Sequence, residues 1–315
     1  MDTLKIYALG PLEVCQGDQC FRRFATAKVQ QLLGYLCVHR ERLHSRETLA
    51  ELFWGEISSE HARGNLRTSL WRLRRVLEPE GNERGQILVV ERDAVGLNTQ
   101  NTFWLDLQVF EEASRLARRR PLPNELSRAQ LIDRLATAVN LYRGDLLDGC
   151  YDDWCLYERE RLKDLFLSDL ACLIALHRDV GDYAQALRYG QRLLSQDPLL
   201  EEVHRNMMQL YFLEGNRASA IRQYQQCQQI LARELNIEPM EETRALYADI
   251  VADRAAAVDH FTGPSVVLAP ASLLDDPLHE LRIVQSELEN LQNRLTKGIQ
   301  TFESLRQLFN DPNQN

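Results

Sequence analysis

Five arginines fall at Arg63, Arg67, Arg72, Arg74 and Arg75, and residues 61–77 hold no acid to neutralise them. This is a local positive field suited to a polyanion. Leu66, Leu70, Leu73 and Leu77 recur at helical spacing through the same segment. At about 100° per residue, the face opposite those leucines collects Gly64, Thr68, Trp71 and Arg75, with Asn65 and Arg72 beside them. Arginine bonds guanine O6 and N7 in two-pronged fashion, asparagine does the same with adenine, and threonine adds a hydroxyl and a methyl, so the set suits a major groove. A merely solvated amphipathic helix would intersperse acids among its arginines, and the lack of them favours nucleic acid.

Catalytic chemistry finds no such support. The four lysines follow Leu4, Ala27, Leu162 and Thr296, so none follows the glycine that a phosphate-cradling loop requires. After His279-Glu280, Ile283 stands where a helical zinc protease needs its second histidine, and neither G-x-S-x-G nor G-x-G-x-x-G occurs. Cys155 and His177 lie in strongly helical sequence, where a packing role is the commoner one. Seven cysteines without a C-x-x-C pair argue against a disulfide framework or a zinc site and for buried thiols. No enzyme activity, cofactor or metal is expected.

The elements that must position the arginines can be read from the flanks. Leu4, Ile6 and Ala8 alternate with Lys5 and Tyr7, and turns at Gly10-Pro11 and Gly17-Asp18 lead through Leu12–Cys15 to Cys20-Phe21, a small antiparallel sheet. Thr26 is placed to cap a helix carrying Val29, Leu32, Leu33, Leu36 and Cys37, and Ser45 a second with Leu49, Leu52 and Phe53. Ser58 or Ser59 starts the arginine helix, which runs to Leu77 before Pro79. Ile87–Val90 and Val95–Leu97 then form a hairpin whose tip, Arg92-Asp93, would touch phosphates or a minor groove.

Sheet, three helices with the run Leu70-Trp71-Arg72-Leu73-Arg74-Arg75, and closing hairpin together resemble the winged helix of the OmpR class of bacterial response regulators. The resemblance implies that the third helix reads DNA. It places Asn65, Ser69 and Arg72 at base-reading or base-adjacent positions and Arg74 at a phosphate contact. Arg67, Thr68, Arg75 and Arg92 complete the expected DNA-binding set. Trp71 departs from the usual polar or basic residue, and either stacks on sugar-phosphate or is covered by the second domain.

From Trp104 apolar residues keep helical spacing, as in Leu131, Leu135, Val139 and Tyr142, or Leu162, Phe166, Leu170 and Leu173. Gly181-Asp182 recurs as Gly215-Asn216, and Ala184, Ala186 and Leu187 recur as Ala218, Ala220 and Ile221. That 34-residue offset is the tetratricopeptide period, in which glycine turns the chain between paired helices and small alanines let them approach. The run Leu141-Tyr142-Arg143-Gly144-Asp145-Leu146-Leu147-Asp148-Gly149 leads to Asp153-Trp154 and Glu158-Arg159-Glu160-Arg161-Leu162, and Leu235-Asn236-Ile237-Glu238-Pro239 closes the segment. These runs resemble the bacterial transcriptional activator domain of SARP-like regulators, with Asn236 in place of the commoner glycine. The resemblance implies a transcription regulator that binds double-stranded promoter DNA at direct repeats and touches RNA polymerase. Asp152, Asp153 and Trp154 are expected to pack or cap.

The expected fold class is mostly α with a small N-terminal β component. It comprises a winged helix-turn-helix domain over 1–99, a tetratricopeptide-like helical domain over 104–256, a linker over 257–277 and a coiled-coil helix over 278–310. That last helix, from Leu281 to Phe309, is expected to join two chains in a homodimer. The nucleotide-binding switch of larger relatives is not expected, for want of a phosphate loop and of remaining length. Net charge is −9, yet residues 1–98 hold 14 Lys/Arg against 13 Asp/Glu, so the acidic bulk lies beyond the arginine helix and does not oppose DNA binding. The start, Met-Asp-Thr-Leu-Lys-Ile-Tyr, lacks a secretory pattern, and no apolar run reaches the roughly 18 residues of a membrane span, so a cytoplasmic chain without membrane contact is expected. The competing readings are a helical scaffold that recruits protein partners without binding DNA, and an effector-responsive repressor.

Overall fold

The computed structural model describes residues 3–78, 85–99, 103–119 and 127–253. The expected linker and coiled coil, and with them the dimerising helix, lie outside the described residues.

The chain opens with three antiparallel strands, β1 (Leu4–Tyr7), β2 (Glu13–Gln16) and β3 (Gln19–Phe21). Then come α1 (Ala27–Val38), the short β4 (His44–Ser45), α2 (Arg46–Trp54) and α3 (Ser59–Leu77). Thr26 Oγ1 accepts from Val29 N at 3.3 Å and Ser45 Oγ from Glu47 N at 3.2 Å, so both expected caps are made. α3 packs on α1 and α2 through Ala62, Leu66, Leu70, Leu73 and Leu77, all buried. The hairpin β5 (Leu88–Val90) and β6 (Ala94–Leu97) follows, with β4 paired to β6 as its third strand.

Trp104 is not in a helix. It belongs to β7 (Phe103–Leu105), which returns to pair parallel with β1 and gives the N-terminal sheet the order β3-β2-β1-β7. A three-residue strand has too little periodicity to be told from a helix entry in sequence; the edge of β1 supplies the hydrogen bonds that define it.

The cysteine expectation also needs correcting, since Cys15 and Cys20 form a disulfide. The two-residue turn at Gly17-Asp18 sets Cys15 directly opposite Cys20 across β2 and β3, with Cα atoms 4.1 Å apart. A spacing of five is therefore a cross-strand pair, which a search for C-x-x-C overlooks. Among the described residues Cys37, Cys150, Cys155 and Cys227 are buried free thiols. Burial pushes the Cys155 thiol up to about 12, which disfavours the reactive thiolate.

The helical part runs through α4 (Asp106–Arg118), α5 (Arg128–Leu141), α6 (Asp153–Asp179), α7 (Tyr183–Gln196), α8 (Glu201–Leu213), α9 (Arg217–Glu234) and α10 (Glu241–Val251). The 34-residue repeat is visible in its geometry. Gly181 and Gly215 both have φ +78, Asp182 and Asn216 cap α7 and α9 by accepting from Gln185 N and Ser219 N, and Ala186 and Ala220 are fully buried. Asn236 takes the left-handed turn (φ 56) that the sequence demanded of it. Among the described residues no helix is long and apolar enough to cross a membrane.

Winged helix and helical array belong to one compact unit. Asp106, fully buried at the start of α4, accepts from Ala8 N at 2.8 Å, Leu9 N at 3.0 Å and Leu107 N at 2.7 Å, and so fixes the end of β1. Arg40, after α1, bonds Glu111 on α4 at 2.7 Å, while Arg161 on α6 holds the other Glu111 oxygen at 2.5 Å and Glu158 at 2.7 Å. Trp154 packs edge-on against Tyr35 of α1 and also meets Phe53 of α2, and Asp152 pairs with Lys28 at 3.6 Å. Residues expected to pack or cap thus join the two halves.

Leu147, buried with φ 51, lays its side chain on Gly34 of α1, where an added methyl would lie 2.2 Å from Leu147 Cδ1. Gly34→Ala in an exposed helix would stabilise by roughly 1 kcal/mol. Here overpacking reverses the sign, and denaturant melts are expected to show a loss of about 1–3 kcal/mol.

Burial also pushes Asp169 up to about 6, despite Arg118 and the Ser114 hydroxyl beside it. A carboxyl with a raised folded pKa holds its proton more tightly when folded. Its contribution is full below the unfolded value and declines as pH rises through the folded one. The unfolding free energy of the native chain minus that of Asp169→Asn should therefore fall between about pH 4 and pH 6 and stay level outside that window, measured by urea melts across pH. A rising difference would mean that the arginine, and not burial, dominates.

Candidate nucleic-acid interface

α3 is amphipathic by construction. Ser58 and Glu60 stand at its start and Arg74 and Arg75 in its last turn, each on the favourable end of the helix dipole. Its leucine stripe faces α1 and α2, so Asn65, Arg67, Thr68, Trp71 and Arg75 emerge exposed on the other side, with Gly64 and Arg72 half-buried at its margins. Arg67 and Arg72 make no hydrogen bond or ion pair among the described residues, whereas Arg63 is paired with Glu47 at 2.6 Å. The contacts between the two halves run through β1, α1, α2, α4 and α6, and this face is left open.

The sequence-predicted set divides. Asn65, Arg67, Thr68, Arg72 and Arg75 are brought together on one surface. Arg92 is exposed at the tip between β5 and β6, as expected for a wing residue. Ser69 is only 5% exposed, because it lies three residues after Leu66 and four before Leu73, on the core stripe. A base-adjacent role does not fit that placement. Arg74 has its guanidinium against Glu78 (Nε to Oε2 3.3 Å), with that carboxylate nearly fully buried. The expected phosphate contact competes with an ion pair inside the protein. Trp71 is 58% exposed, so the second domain does not cover it, and the Arg75 guanidinium stands 5.2 Å from its ring centroid.

Glu78 was not singled out by sequence, yet the hairpin hangs from it. Its carboxylate accepts from Gly85 N at 3.1 Å, Ile87 N at 2.9 Å and Leu88 N at 2.9 Å. One acid just past a helix terminus thereby fixes both the end of α3 and the root of the wing. An acidic residue followed by a turn is too common in sequence to signal this. Among the described residues no group of three or more His, Cys, Asp or Glu is placed to hold a metal.

Comparison with known proteins gives two family matches in the same order as the two halves. The family described as transcriptional regulatory protein, C terminal, matches residues 24–93, and the bacterial transcriptional activator domain matches residues 105–251. The chain is 27% identical over 278 residues to the regulatory protein AfsR of Streptomyces coelicolor, covering 86% of this chain but only 27% of AfsR. It is 28% identical to the transcriptional regulatory protein MoaR1 of Mycobacterium tuberculosis, with 83% of each covered. Among solved structures, Mycobacterium tuberculosis EmbR, in complex with a low affinity phosphopeptide, has a similar fold at a TM-score of 0.60 and 20% identity, over 85% of this chain and 72% of EmbR.

Glu78→Ala leaves the buried N–H groups of Ile87 and Leu88 and the half-buried one of Gly85 without their acceptor, each buried one worth about 1–3 kcal/mol if wholly unsatisfied. Hydrogen exchange of the amides of residues 85–97 should quicken measurably in this variant. Arg72→Ala, which removes a group with no partner in the fold, should leave the same amides and the melting temperature unchanged.

Proposed function

The chain belongs to the SARP-like transcriptional regulators, and on that premise we propose that it binds double-stranded promoter DNA and activates transcription. α3 lies in the major groove, with Asn65 and Arg72 towards base edges, Arg67, Thr68 and Arg75 around them, and Arg92 on the wing touching the backbone or minor groove. The helical array supplies the surface that meets RNA polymerase, and residues 278–310 join two protomers so that paired sites are bound together. The chain acts by assembly and not by catalysis.

One observation carries this reading. The face of α3 that carries the unpaired guanidinium groups of Arg67 and Arg72 is a face that domain docking leaves uncovered. Amide, hydroxyl and guanidinium groups sharing a convex helix surface match the donor and acceptor code of a major groove. The one acid of α3, Glu60, stands in its first turn. Along the rest of the helix no acid of its own opposes attraction to phosphates, and among the described residues Arg67 and Arg72 are also free of acids from neighbouring elements.

Titrations of single-base variants of a selected duplex separate the two kinds of contact. Arg72→Ala should cost about 1–3 kcal/mol and relax preference at one base position, as loss of a bidentate base contact does. Arg92→Ala should weaken all sequences alike and reduce the salt slope by about one counterion. Uniform losses in both variants would remove Arg72 from base readout. Failure to enrich any sequence from a random duplex pool would overturn the DNA reading itself.

A further inference from the structure

From the outward face of α3 we propose that Trp71, with Thr68 one turn before it, is an apolar reader of thymine 5-methyl groups. The inference rests on the DNA reading above and deepens it. Gly64, Thr68 and Trp71 lie four and three residues apart and so share one line along the helix. Gly64 has nothing within 4 Å of where a side chain would begin. Among the described residues no packing calls for glycine there, at a helix-interior position where glycine is unfavourable, while the bare backbone permits close approach of a ligand. The Thr68 hydroxyl donates to Gly64 O at 3.1 Å, so its hydrogen is already used within the helix and what the residue has left to offer a base is chiefly its methyl. Trp71 ends the line as a large exposed indole, 58% accessible.

Arginines frame this apolar line. Arg67 and Arg72 flank it, and Arg75 stands over the Trp71 ring at 5.2 Å, which holds the indole in place at the helix surface. Positive charge on both sides selects a polyanion as the occupant, and an apolar centre within it selects the one apolar group a major groove presents, the thymine methyl. An indole against sugar and phosphate would face the most hydrated part of the duplex and gain less from burial. Readout by Trp71 is then a preference for thymine over cytosine at the same position, independent of any hydrogen bond.

The experiment uses the full chain and a duplex selected from a random pool, in which each thymine is replaced in turn by deoxyuridine, which lacks only the 5-methyl. For the native chain, one or two replacements should weaken binding about fourfold, the worth of one buried methyl group. For Trp71→Ala at least one of those replacements, the one beneath the indole, should cost nothing, and any that remains costly is the one read by the Thr68 methyl. Trp71 is exposed, so its fold should be unaltered, as an unchanged melting curve would verify; Trp71→Phe keeps a ring and should retain part of the discrimination. If a sequence is selected but Trp71→Ala loses affinity equally for thymine and deoxyuridine duplexes, the ring meets sugar-phosphate and the methyl-reading proposal falls while DNA binding stands. Methyl reading falls likewise if no replacement affects the native chain. If no sequence is selected at all, the functional reading falls and takes this inference with it.

Discussion

Glu111 is 6% exposed on α4, and both its oxygens are occupied by arginines from different parts of the chain, Arg40 from the winged helix and Arg161 from α6. Burial alone would raise this carboxyl. Arg161 and Arg40 outweigh it and hold Glu111 below its ordinary range, charged in the interior. Such a cluster adds little net stability over an apolar equivalent, but removing one member strands charges in a medium that cannot solvate them, at about 3–5 kcal/mol. Its effect is therefore on geometry: Arg40, Glu111 and Arg161 tie the winged helix to a defined seat on the helical array. Asp106 under β1 and Leu147 on Gly34 act at the same junction and would be mismatched in any other seat.

For the candidate site, this junction amounts to an allocation of faces. β1 and α1 are consumed by docking, the leucine stripe of α3 by α1 and α2, and the root of the hairpin by Glu78. The exposed side of α3 and the tip at Arg92 are left over. A rigid seat also fixes where the helical array stands relative to that surface, so a regulator bound at a promoter would present the array in a defined direction. The buried amide and imidazole groups of the array work in the same sense: His204 bonds Pro198 O at 3.0 Å and Gln223 at 2.6 Å, which ties α8 to α9 with little freedom.

Much of this was legible in the sequence because it is local. Caps at Thr26 and Ser45, the turn glycines 34 residues apart, the left-handed Asn236 and the two-faced pattern of α3 each depend on residues within a few turns of one another. Periodicity then separates Leu66 and Leu70 from Arg67 and Trp71 without reference to any neighbour. The same wheel, applied to Ser69, places it between two leucines; the family resemblance, and not the spacing, sets it among the base readers.

Tertiary structure decided what depends on residues distant in sequence. The parallel pairing of β7 with β1, the use of Asp106 as an acceptor for Ala8 and Leu9, the opposition of Cys15 and Cys20, and the pull of Glu78 on both Arg74 and the wing leave no periodic trace. Whether Trp71 would be covered or open could not follow from its own helix, since either outcome satisfies an apolar residue on a basic face. The packed structure answers it, because burial is a property of what packs alongside, and the two halves meet on other faces of the winged helix.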